Sequence, residues 1–173
     1  EEPDDPVSFR THVIDENMGG VYQAFVTDIN GDGRPDVIPK IIPGRPVAYW
    51  YENPTWERHL LMKDVKSFWY DSADLNLDGI PELMVAADFS RDPASHPEGE
   101  IYSLESGKDP TKPWSVTKFD KVPMAHRLLL SDANGDGTPE IIIAPLVGAD
   151  SSLPDYPGAT PLIYYRIGEL ERY

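Results

Sequence analysis

The feature that most constrains this chain is a nine-residue acidic loop that occurs three times. Asp28-Ile-Asn-Gly-Asp-Gly-Arg-Pro-Asp36, Asp74-Leu-Asn-Leu-Asp-Gly-Ile-Pro-Glu82 and Asp132-Ala-Asn-Gly-Asp-Gly-Thr-Pro-Glu140 align without a gap, with their first aspartates 46 and 58 residues apart. Each is followed by an apolar run: Val37-Ile38, Leu83 to Ala87, and Ile141 to Ala144. Short apolar runs bounded by turn signals read as buried strands. Self-similarity at this period is the mark of a repeat architecture.

Two more segment types recur between the loops. Val47 to Tyr51, Glu100 to Leu104 and Pro161 to Tyr165 are short, Tyr-rich and partly alternating. Ser8 to Ile14, Thr55 to Leu61 and Pro113 to Phe119 share an aromatic residue near their start. With one strand before and one after each loop, every repeat supplies four strands. The 18 prolines and 13 glycines suit an all-β chain with many tight turns. Four-stranded units at this period predict β-propeller blades of four antiparallel strands, about three of them, in a partial propeller. Residues 1–19 are expected to form the outer strand of a preceding or closing blade. Blades are expected over 20–63 and 64–121, and an incomplete one over 122–173. Propellers close with roughly 4 to 8 blades. The rest of the ring is therefore expected from a larger chain or from self-association.

Calcium takes six to eight hard oxygen ligands, carboxylate, amide and backbone carbonyl among them. Positions 1, 3, 5 and 9 of each loop offer such side chains: Asp28, Asn30, Asp32 and Asp36; Asp74, Asn76, Asp78 and Glu82; Asp132, Asn134, Asp136 and Glu140. Position 7 (Arg34, Ile80, Thr138) would add its main-chain carbonyl. Glycine at position 6 allows the sharp turn around an ion. An EF-hand is excluded, because the position of its bidentate glutamate holds Pro39, Val85 or Ile143. The expectation is up to three structural Ca²⁺ ions, each relieving repulsion among carboxylates on one turn. Sites of this kind fill at extracellular calcium concentrations. A secreted or cell-surface location is the corresponding expectation.

A formal charge of −15 and the lack of any basic cluster argue against a nucleic-acid surface. Without cysteine there is no disulfide, thiolate zinc site or redox pair. No apolar stretch reaches the 18 or so residues of a membrane span, so membrane insertion is not expected. Phosphate-loop, HExxH and Ser-His-Asp patterns are missing too.

In an up-and-down blade the acidic loops occupy one face, so the starts of the innermost strands open onto the other. Six residues before each loop stand Tyr22, Phe68 and His126, followed by Gln23, Trp69 and Arg127. Aromatic faces stack on pyranose rings, and Arg or Gln bonds hydroxyls. Tyr22, Gln23, Trp69 and Arg127 are thus candidate sugar contacts, with His126 as a channel-facing base. The long connections Asp88 to Gly99, carrying His96, and Gly148 to Ala159 would flank them as binding loops. Trp56 and Trp114 are expected in the core of outer strands, with His12 and His59 as structural equivalents of each other.

The acidic pattern resembles the FG-GAP and VCBS repeats of extracellular propellers, found in integrin α-subunit heads, adhesins and carbohydrate-active enzymes. That resemblance spans nearly the whole chain and implies fold and calcium rather than one activity. A narrower likeness joins Pro123-Met-Ala-His-Arg-Leu128, Ala144-Pro-Leu-Val-Gly-Ala-Asp-Ser-Ser-Leu153 and the Tyr51-Glu-Asn-Pro54 turn to fungal aldos-2-ulose dehydratase propellers. It implies a sugar lyase in which His126 acts beside a metal, with Arg127 as a substrate contact. The alternative is a non-catalytic module that binds carbohydrate or an extracellular protein.

Overall fold

The computed structural model describes residues 9–41, 46–89, 99–148, 151, 155, 158–166 and 168. Among them the chain is all β, with no helix, and its strands form three antiparallel sheets taken in chain order. The first sheet joins β1 (Val21–Thr27), β2 (Asp36–Ile41), β3 (Val47–Glu52) and β4 (Glu57–Lys63) as consecutive neighbours. The second repeats this with β5 (Ser67–Ala73), β6 (Glu82–Ala87), β7 (Glu100–Glu105) and β8 (Ser115–Lys121). The third holds β9 (Ala125–Ser131), β10 (Glu140–Pro145) and β11 (Ile163–Tyr165).

Each acidic loop turns the first strand of its sheet into the second. The turn needs a left-handed residue at position 6, where Gly33, Gly79 and Gly137 have φ of 85°, 89° and 92°.

The middle sheet explains how the three pack. Successive residues of a strand face opposite ways, and every residue from Leu83 to Ala87 in β6 is buried. Leu83, Val85 and Ala87 join Ile38, Trp50, Leu61 and Tyr70 in one core. Met84 and Ala86 join Leu128, Ile141, Ile143 and Ile163 in another. The second sheet is therefore covered on both faces, by the first sheet on one side and the third on the other. Polar links cross the same boundaries: Thr27 Oγ1 lies 3.0 Å from Ser72 Oγ, and the Leu130 N–H donates to Asp71 at 2.8 Å.

Two local expectations are corrected. Residues 9–20 form no strand, so the outer strand expected over 1–19 is not formed in its described part. Polar residues and bends at Ile14 to Gly19 outweigh the short apolar pair there. His12 is accordingly exposed and not equivalent to His59, which lies in β4 with its ring 4.6 Å from that of Trp50. Trp56 sits in the turn before β4 with φ of 58°, half-buried rather than in a core, whereas Trp114 is buried.

Candidate functional site

The acidic loops share one hydrogen-bond scheme. The carboxylate at position 1 accepts from the main-chain N–H groups of positions 5 and 6: Asp28 from Asp32 and Gly33, Asp74 from Asp78 and Gly79, Asp132 from Asp136 and Gly137, at 2.8–3.1 Å. The Asn carbonyl at position 3 also accepts from the position-5 N–H, at 2.8–3.1 Å. Position 5 accepts from the N–H of Arg34, Ile80 or Thr138 at 2.9 Å. These bonds hold the oxygens of Asp28, Asn30 and Asp32, and their counterparts, on the inside of a tight turn.

Position 9 closes the loop from the strand side. Glu82 and Glu140 each accept from the position-2 N–H, of Leu75 at 2.7 Å and Ala133 at 2.9 Å, and from the side-chain amide of Asn76 or Asn134. Asp36 is one methylene shorter. It reaches Ile29 N at 3.0 Å, and the Asn30 amide instead finds Glu52 of β3 at 3.3 Å. Burial raises the Asp36 pKa, its N–H partners Asn53 and Ile29 oppose that, and the carboxylates of Asp32 and Asp28 raise it further. A cation would reverse this mutual repulsion. The three carboxylates of a loop do not close to within 4.8 Å of one another; among the described residues the one such group is Glu52, Glu57 and His59. His59 Nε2 lies 2.8 Å from Glu52 there, which ties β4 to β3.

At the other end of the same strands lies a second repeated device. The pairing of β1 with β2 skips Tyr22, that of β5 with β6 skips Phe68, and that of β9 with β10 skips His126. Each is the extra residue of a β-bulge, a feature that re-aims side chains and gathers at functional sites. The residues singled out by counting back from the loops are therefore the bulge residues and their followers.

The β5 bulge is the meeting point. The Phe68 ring lies 4.4 Å from Phe89 and 5.0 Å from His126, and Phe89 is 5.0 Å from His126. Arg127 lies over the Trp69 ring at 4.0 Å, and the Trp69 indole donates to Leu128 O at 2.8 Å. Trp69 is thus engaged by the third sheet rather than presented as a bare stacking face. Tyr22 is 56% exposed and Gln23 half-buried, and neither is brought into this cluster. His96 lies outside the described residues, as does much of the second long connection.

Two members of the cluster escape a reading of the repeats. Phe89 follows β6 in a connection with no regular pattern. Lys40 occupies the β2 position opposite Gln23, where the other sheets place Ala86 opposite Trp69 and Ala144 opposite Arg127. Only 3% exposed, it reaches the second sheet, donating to Ser67 O at 3.0 Å and to Phe68 O, with its ammonium 3.7 Å from the Phe68 ring centre. Burial, then the Arg127 charge, bring the Lys40 pKa down to about 7. Burial followed by Arg127 and Lys40 also lowers that of His126. Its departure from the alanine pattern is the signal that could have found Lys40.

No protein-family model, curated protein or solved structure matches the chain.

Proposed function

We propose that the three sheets are blades of a calcium-stabilised β-propeller that acts outside the cell and binds carbohydrate on the face opposite its acidic loops. One observation carries this reading: in all three sheets an acidic loop at one end of the first strand is coupled to a bulge at the other. Packed antiparallel sheets, two of four strands and one of three, fit the propeller plan. Positions 1, 3 and 5 of each loop hold their oxygens inward, and position 9 carries the fourth donor. That all-oxygen set, with no nitrogen or sulfur ligand, fits Ca²⁺. The ion would neutralise each loop and lock the first two strands together. The bulges then present Tyr22, Phe68 and His126, half-exposed rings suited to the apolar face of a sugar.

The test is calorimetric titration of mono- and oligosaccharides into the protein in millimolar calcium. Binding that Tyr22→Ala and His126→Ala weaken, in variants that still melt as the parent does, supports the reading. Failure of every sugar to bind refutes it.

A lyase of the dehydratase type is the second reading. It is favoured by the lowered pKa of His126, which keeps the imidazole able to take a proton next to a carbonyl. Loss of water from a keto-sugar would then be followed as the absorbance of the unsaturated product, and His126→Ala would abolish it.

A further inference from the structure

We propose that Lys40, His126 and Arg127 form a binding site for a carboxylate group, so that the sugar taken by this face is a sugar acid. The inference rests on the carbohydrate reading above only for the sugar, not for the carboxylate.

The three cationic side chains come from two different sheets and meet on a third. Lys40 crosses from β2 and His126 and Arg127 from β9, all onto the Phe68-Trp69 bulge of β5. In a chain of charge −15, none of the three is paired with a carboxylate among the described residues. Gathering like charges away from the abundant acids is unfavourable unless something else supplies the negative charge. In the site itself burial first, and then the charge of Arg127, lowers the Lys40 pKa, while burial followed by Arg127 and Lys40 lowers that of His126.

Arg127 shows the same deficit in its hydrogen bonds. Its Nη1 is enclosed yet has no acceptor among the described residues. A guanidinium cannot shed its proton, and an enclosed donor left unmet is costly. A carboxylate matches it well, since its two oxygens fit the planar fork of the side chain.

The parts then divide the work. Arg127 supplies the fork. The ammonium of Lys40 is already spent on two main-chain carbonyls, so it contributes charge from behind the Phe68 ring. His126 has no hydrogen-bond partner among the described residues and can donate one N–H. Phe68 and Phe89 leave an aromatic wall for the carbon skeleton that bears the group.

Calorimetry at pH 7 in low salt and millimolar calcium, with glucuronate, glucose and acetate as probes, tests this. The expected result is glucuronate binding about tenfold or more tighter than glucose, the scale of a charge-assisted hydrogen bond. Arg127→Gln should erase the difference and Arg127→Lys restore part of it. Equal affinity of the unaltered protein for glucuronate and glucose overturns the carboxylate site but leaves the carbohydrate reading standing. Binding of acetate with no gain from glucuronate supports the site and overturns the sugar. No binding of any probe overturns both.

Discussion

The indole N–H of Trp69 in β5 donates to the main-chain carbonyl of Leu128 in β9 at 2.8 Å, so one side chain bridges the second and third sheets. Arg127 covers the same ring at 4.0 Å. Trp69 is therefore a joint, and what a ligand meets is the cationic and aromatic surface around it. Trp69→Phe keeps most of the apolar body but removes the donor. It should lower stability by about 1 to 2 kcal/mol in a denaturant titration. An unchanged midpoint would show that the bridge contributes nothing.

The fourth position of the acidic loop gives a stabilising prediction. Gly31 and Gly135 stand there with φ of 73° and 79°, but the second loop has Leu77 at 63°, with 87% of its surface exposed. Left-handed backbone costs an L-residue roughly 1–2 kcal/mol, partly offset by the greater freedom glycine loses on folding. Leu77→Gly should gain about 0.5 to 1 kcal/mol. The converse change, Gly31→Ala, should be harmful, since a Cβ there meets Gly79 O at 2.9 Å. Urea midpoints that move the other way would contradict the account of this turn.

Lys40 sets a pH dependence. Its pKa falls from 10.5 in an open chain to about 7 in the fold, through burial and then the Arg127 charge. Between those values the unfolded chain holds a proton that the folded one lacks, so stability rises with pH across that window and is lost on going down. The raised pKa values of Tyr51, Tyr70 and Tyr102 act the other way, but only from about pH 10 upward. Melting temperature should therefore climb from about pH 7 to about pH 9, and Lys40→Met should flatten the climb. A slope that survives this substitution would contradict it.

These residues show what a one-dimensional reading can reach. The turns themselves were legible because a tight turn of this kind needs a glycine at a fixed position among short oxygen-bearing side chains that accept main-chain N–H groups. The bulges were reachable by counting, since a strand of constant length puts Tyr22, Phe68 and His126 at one height. Lys40 was legible only as a break in the alanine pattern of its position, inside an apolar run interrupted by Pro39; its reach across to β5, which makes it part of a site, has no signal in the sequence. Glu52 was hidden for a similar reason, since its bond to Asn30 makes up for the short side chain of Asp36. Over residues 9–20 the expected leading strand is not formed: its likeness to Thr55 to Leu61 lay in a few residue types, without a neighbouring strand to pair with among the described residues.

Apolar surface should make the isolated chain associate. Val21, Tyr22 and Val26 are exposed on β1, and so are Leu129 on β9, Leu146 just after β10 and Leu162 just before β11. Ile163 and Tyr165 are buried and play no part. Patches at the two ends of a stack favour end-to-end contact between copies. Sedimentation should show mass rising with concentration, and Val26→Lys with Leu129→Lys should suppress it. A strict monomer at high concentration would contradict this.

The claim that organises the rest is that the three acidic loops bind calcium. With affinities on the order of 10⁻³ M, 10 mM calcium should add about 1.4 kcal/mol per site, or about 4 kcal/mol for three. For a chain of this size that is a rise of about 8 to 16 °C in melting temperature. The decisive measurement is a thermal melt in excess EDTA against one in 10 mM Ca²⁺, repeated with Asp28→Asn, Asp74→Asn and Asp132→Asn singly. The account predicts the full rise for the parent chain and about two thirds of it for each variant. Superimposable melts with and without calcium would contradict it.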